Sequence, residues 1–199
     1  PQDESVNERI VTALDEAGVP VVLLDRDMYK FPRRSRYDLV GIDNFAAGFD
    51  MAGHLIKLGC RHICFVELPH SAATVDLRIA GWREAMVRAG LECGPDRVFA
   101  GDVSREDFVR KVIARDGVQA IICANDATAA TLLQTLTRLG LQVPRDVRLA
   151  GFDDLRYASL LAVPLTTMHQ PCEAIGQAAV EAMRERIRGP NMARREILL

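Results

Sequence analysis

The sequence lacks the signatures of the common nucleotide- and metal-dependent enzymes. It contains no G-x-G-x-x-G, no G-x-x-x-x-G-K-[ST], no G-x-S-x-G and no H-E-x-x-H. The phosphate-cradling loops, the nucleophile elbow and the zinc-binding helix that those spacings build are therefore not expected. The four histidines, His54, His62, His70 and His169, are scattered without ligand spacing. Cys60-x-x-x-Cys64 has no second ligand pair, so buried or inert thiols are expected there rather than a metal. Five cysteines, odd in number and widely spaced, suggest no disulfide framework and fit a reducing compartment. Aromatic residues are scarce at 6%, with a single tryptophan. No apolar stretch approaches the roughly 20 residues that cross a bilayer, and nothing at the start resembles a signal peptide. A formal net charge of -2 gives no overall pull toward nucleic acid or membrane.

What is present is an ordinary globular composition, 49% hydrophobic and 26% charged over 199 residues, long enough to bury a real core. Ser5-x-x-Glu8 reads as a capping box. It opens a helix with apolar positions Val6, Ile10, Ala13, Leu14 and Ala17, and Gly18 stands at its end. Val19–Asp25 reads as a buried strand ending in an acid, and Lys30–Arg36 (KFPRRSR) as a solvated basic loop rather than a phosphate patch. From Asn44 the pattern predicts helix (to Leu58), strand (His62–Leu68), helix (Val75–Ala89) and strand (Arg97–Gly101). A helix capped at Ser104 follows, then strand (Val118–Ala124), helix (Asp126–Leu139), strand (Asp146–Phe152), strand (Leu165–Met168) and a last helix from Pro171 to Arg188. The strands are almost continuously apolar and alternate with helices of 10–15 residues. That pattern predicts a parallel sheet covered by helices on both faces.

Four strand ends carry polar groups: Asp25, the loop after Leu68, Asn125-Asp126 and Asp153-Asp154. Each alone reads as a helix N-cap. Several ending in carboxylates or amides exceed what capping needs, and such groups suit the hydroxyls of a sugar. Asp126 is expected to cap its helix, and Ala127, Ala129 and Ala130 to let the helix pack closely. Arg78, in the opening turns of its helix, can fork onto two ligand oxygens. Trp82 lies on a stripe with Ile79 and Met86, which predicts a core role, with stacking on a ligand as the alternative. No group of residues calls for bond breaking, and a binding protein is the leading class.

The stretches PVVLLDR (20–26), GIDNFAAGFDMAGHLIKLGCRHICFV (41–66), LRIAGWREAM (77–86), AIICANDATA (120–129), LAGFDD (149–154) and PLTTMHQP (164–171) together resemble the effector-binding core of LacI/GalR-type transcriptional regulators. The resemblance implies the type I periplasmic-binding-protein-like α/β fold: two doubly wound parallel-sheet lobes, the N-terminal one incomplete here. It places residues 1–42 and 169–199 in the N-terminal lobe and 43–168 in the C-terminal lobe. The chain opens on Pro1 and closes on Glu196–Leu199, which reads as a strand beginning. The expectation is a piece cut at both ends, without the DNA-binding headpiece.

By resemblance the effector, a sugar or sugar derivative, lies in the interlobe cleft. Asp25, Arg78, Asn125, Asp153 and Gln170 are nominated as effector-binding. Trp82 and Val103 are further candidates, Val103 standing where many members place an aromatic. No metal or other cofactor and no membrane contact are implied. The expected partners are the effector, operator DNA through the headpiece, and a second copy of the chain in a homodimer, in the cytoplasm. Two other readings differ in class: an exported solute-binding protein of a transporter, and a doubly wound enzyme using Asp25 or Asp153 as a base. A signal peptide or turnover of a sugar would separate them.

Overall fold

The computed structural model describes residues 4–115 and 117–199, without the side chains of residues 4 and 5, so the Ser5–Glu8 capping box lies outside the described residues. Helices and strands alternate along the chain: α1 (Glu4–Ala17), β1 (Val22–Leu24), β2 (Asp38–Gly41), α2 (Asn44–Lys57), β3 (Ile63–Glu67), α3 (Ala73–Arg88), β4 (Val98–Ala100), α4 (Glu106–Ile113), β5 (Ala120–Cys123), α5 (Asp126–Arg138), β6 (Arg148–Asp153), β7 (Thr166–His169), α6 (Cys172–Arg188) and β8 (Glu196–Leu198). The chain divides into two compact units, one of Pro1–Asn44, His70–Leu77 and Pro171–Leu199, the other of Phe45–Pro69 and Arg78–Gln170. Relative to the division expected from sequence, the first unit gains residues 43–44 and 70–77 and loses 169 and 170, so that Gln170 falls in the second unit.

The second unit holds a five-stranded parallel sheet in the order β4-β3-β5-β6-β7. Strands β3 and β5 are buried almost throughout because Ile63–Val66 and Ala120–Cys123 carry no charge and meet side chains on both faces. One side of the core gathers Val66, Val103, Val109, Ile121, Leu132 and Leu136. Trp82 is fully buried, with its ring centroid 6.2 Å from that of Phe65. Cys60, Cys64 and Cys123 are buried free thiols, and burial pushes Cys64 and Cys123 above the ordinary thiol range.

The first unit is built on a three-stranded parallel sheet, β1-β2-β8. Strand β2 is missing from the sequence-based assignment. Its first residue, Asp38, is a fully buried carboxylate held by Arg186 (2.6 Å to Oδ1) and Arg195 (3.0 Å to Oδ2), and the Arg195 N–H adds a 2.9 Å hydrogen bond. This ties β2 to α6 and to the segment leading into β8. Helix α1 forms where expected, but its packed face differs. Asn7 Nδ2 donates to the Met28 carbonyl, and the Tyr37 hydroxyl donates to Asp15 at 2.6 Å, while Val6 and Ile10 stay 46% and 44% exposed. Hydrogen bonds from the β1–β2 connection, rather than the apolar stripe, decide which way this helix faces.

The helix after Val103 also starts differently from expectation. Ser104 donates its N–H and hydroxyl to Asp102 Oδ1 at 2.9 and 2.7 Å, and α4 begins two residues later with no side-chain cap. Competition for the serine by the preceding aspartate displaces the helix start.

Candidate functional site

In the strand order β4-β3-β5-β6-β7 the chain runs from β3 outward to β4, then returns to the other side of β3 as β5. The crevice at the carboxyl ends of β3 and β5 is therefore a topological switch point, the place where open parallel sheets meet ligands. Arg78 reaches this place. It is only 4% exposed, and its Nη1 donates to the carbonyl of Ala124 at the end of β5 at 2.7 Å. Its Nη2 stands 3.7 Å from Asp153 Oδ1 at the end of β6. Its guanidinium carbon lies 4.6 Å from the centroid of the Phe152 ring. A carbonyl, a carboxylate and an aromatic face thus fix a delocalised, planar cation that lysine could not replace.

Two glycines put Arg78 there. A Cβ on Gly48 of α2 would run into the backbone carbonyl of Arg78, and one on Gly81 of α3 would run into the carbonyl of Phe45. Helices α2 and α3 cross backbone to backbone at these positions, which sets the height of Arg78 over the sheet. Neither glycine carries a local sequence signal, because the need for a bare Cα arises only in the crossing.

At the end of β6 the backbone departs from ordinary geometry: Asp153 has φ 106° and Asp154 φ 53°. The left-handed region is uncommon for residues with a Cβ and clusters where function demands a particular side-chain direction. The Asp153 side chain keeps 28% of its surface open, unlike the Arg78 side chain behind it. His169 Nδ1, at the end of β7, lies 2.9 Å from Asp154 Oδ2.

Capping of α5 falls in the structure to Asn125 rather than to Asp126. Asn125 caps α5, its Oδ1 accepting from Thr128 N–H and Thr128 Oγ1 at 2.8 Å each. The cap uses the carbonyl end of the amide and leaves the Nδ2 donors at the end of β5. Asp126 is fully buried and accepts instead from Thr167 Oγ1 (2.6 Å) and Leu155 N–H (2.9 Å). Two adjacent cap-competent residues look alike in sequence; the extended backbone at Asn125 selects the first.

Arg78, Asn125, Asp153 and Gln170 all belong to the second unit, Gln170 following directly on β7. Asp25 belongs to the first unit, where it follows β1 with φ 67° and donates its N–H to the Val40 carbonyl at 2.8 Å. The structure puts Val103 in the core at 2% exposure, packed with Val66 and Val109, and Trp82 in the core beside Phe65. Packing occupies both side chains. Phe152, Thr167 and the Ala124 carbonyl enter the site without having been singled out, since in sequence they read only as strand residues.

Chemically the second unit presents a guanidinium, a carboxylate and amide donors around one strand-end crevice. The Arg78–Asp153 pair brings opposite charges together, so the crevice suits hydroxyls, each of which both donates and accepts. The fold is that of a periplasmic-binding-protein-like α/β domain. The comparisons agree. Residues 52–199 match the periplasmic binding protein-like domain. The ribose operon repressor of Escherichia coli K12 is 33% identical over 186 residues, covering 91% of this chain and 55% of the repressor. The HTH-type transcriptional repressor PurR of Aliivibrio salmonicida is 31% identical over 195 residues, covering 96% of this chain and 57% of that repressor. A solved complex of the regulator CelR with cellobiose superimposes with a TM-score of 0.82 at 30% identity, covering 94% of this chain and 57% of that one. The chain therefore belongs to the periplasmic binding protein-like domain family, in the form that LacI-family regulators carry. It spans just over half the length of those curated relatives.

Proposed function

We propose that these residues form the effector-binding domain of a ligand-responsive transcriptional regulator whose DNA-binding headpiece lies outside them. The observation that carries this reading is the buried Arg78 set between the Ala124 carbonyl at the end of β5 and Asp153 at the end of β6, beside the switch point of the β4-β3-β5-β6-β7 sheet. A sugar or sugar derivative is held by Arg78, Asp153, Asn125 and Gln170, with Asp25 the contact from the first unit. Ligand that engages both units favours one arrangement of them over another, which is how binding energy changes operator affinity. The domain binds without turning its ligand over and uses no cofactor. The regulator acts as a homodimer in the cytoplasm, since an operator of two half-sites takes two headpieces. That three relatives are named as repressors or regulators favours this over an exported solute-binding protein.

The test is operator binding by the full-length protein, selected from genomic fragments and titrated with and without sugars. The expected result is sequence-selective binding that changes about tenfold or more with one sugar, a coupling of about 1.4 kcal/mol. The Asp153→Ala variant should still bind DNA and no longer respond. Absence of selective DNA binding by the full-length protein would contradict the regulator reading.

A further inference from the structure

Asp126 opens α5 but does not cap it, and its carboxylate is fully buried. Burial pushes this carboxyl above the usual carboxylate range, while hydrogen bonds from Thr167 and Leu155 pull the other way. Such a group is costly to keep inside a protein. Its hydrogen bonds all lead to one place. Oδ2 accepts the N–H of Leu155 at 2.9 Å, and Oδ1 accepts the Thr167 hydroxyl at 2.6 Å. The same hydroxyl oxygen accepts the N–H of Asp154 at 3.2 Å. One carboxylate thus gathers two consecutive backbone N–H groups, one directly and one through Thr167. Those N–H groups belong to the turn in which Asp153 and Asp154 take positive φ. Room for the clasp comes from β6 itself, because a Cβ on Gly151 would collide with Asp126 Oδ1.

We propose that Asp126 is a positioning residue for effector binding: through Thr167 and Leu155 it clasps the turn after β6 and so aims the Asp153 carboxylate at Arg78 and the ligand. The inference rests on the reading of Arg78 and Asp153 as the effector-holding pair. Without the clasp the left-handed backbone at residues 153 and 154 loses both of these N–H anchors, the turn relaxes, and Asp153 leaves its direction. The hydroxyl of Thr167, not its bulk, carries half of this.

The test uses amide hydrogen exchange by NMR together with sugar affinity, in the parent, Thr167→Val, Thr167→Ser and Asp126→Asn. D-ribose and cellobiose serve as the probes. In Thr167→Val the Asp154 amide should exchange about tenfold faster, as loss of one hydrogen bond implies, while Ile121 and Ile122 in β5 keep their protection. Affinity for the probe that binds the parent should fall about tenfold in the same variant. Thr167→Ser should restore both values, and Asp126→Asn should speed exchange at Asp154 and Leu155 alike. Unchanged exchange at Asp154 in Thr167→Val overturns the proposal, as does faster exchange with full affinity. If neither probe binds the parent, the choice of ligand fails separately, and the exchange arm alone decides whether the clasp exists.

Discussion

Asp38→Ala will destabilise the protein by about 3–5 kcal/mol, the cost of removing one partner from a buried ion cluster. Asp38 is fully buried, and both its oxygens are taken by guanidinium groups from residues 148 and 157 positions away. Alanine leaves Arg186, whose side chain is 11% exposed, and Arg195 without the charge that placed them, and detaches α6 and the β8 approach from β2. Acid should mimic the substitution. Burial alone would raise the Asp38 carboxyl, but the hydrogen bonds from Arg186 and Arg195 outweigh it and hold it below the ordinary value of 3.8. Its contribution is therefore complete above pH 3.8 and disappears as pH falls through the lower folded-state value. Chemical denaturation at neutral and acid pH checks both statements. An Asp38→Asn variant should flatten the acid limb, and an Asp38→Ala variant within about 1 kcal/mol of the parent would remove the cluster from the account of stability.

Gly48→Ala and Gly81→Ala will each cost at least the 1–3 kcal/mol or so typical of overpacking, because the atoms a Cβ would meet are backbone. At Gly48 they are the carbonyl oxygen and carbon of Arg78; at Gly81, the carbonyl of Phe45 and the nitrogen of Phe49. Backbone inside a helix cannot rotate away as a side chain can, so α2 and α3 must separate. Gly53, on the same helix α2, has nothing within 4 Å of its Cβ direction. Gly53→Ala should stabilise by about 0.5–1 kcal/mol through helix propensity alone. Opposite signs for Gly48 and Gly53 in thermal unfolding would establish the close crossing. Since the crossing carries Arg78, Gly48→Ala should also weaken ligand binding wherever the variant stays folded. Equal, mild effects at all three glycines would show that α2 and α3 do not meet backbone to backbone.

The large features of the fold were legible for a plain reason. Strands such as Ile63–Val66 and Ala120–Cys123 are buried on both faces and must be continuously apolar, and Asn125 and the glycines at the helix ends punctuate them. The polar strand ends were legible because Asn125 and Asp153 break apolar runs, whereas the approach of Arg78 from α3 to Ala124 and Asp153 depends on the fold. Features that depend on distant partners were not. Strand β2 begins with a charge that only Arg186 and Arg195 make tolerable, and nothing local announces them. Helix α1 turns its apolar stripe outward because Asn7 and Asp15 find partners in the β1–β2 connection. The division of labour between Asn125 and Asp126 depends on Thr167, which lies 41 residues beyond Asp126.

The most direct test of the account is a thermal-shift survey of sugars, sugar acids, phosphosugars and purines on the parent protein, with Asp153→Ala beside it. A ligand at about 100 times its dissociation constant stabilises the folded state by about 2.7 kcal/mol, roughly 2–4 °C in midpoint for each kcal/mol at this size. The account predicts such a shift with one hydroxyl-bearing ligand and its loss in Asp153→Ala. A ligand shift that survives Asp153→Ala undiminished, or no shift across the whole survey, would contradict the assignment of the Arg78–Asp153 crevice as the effector site.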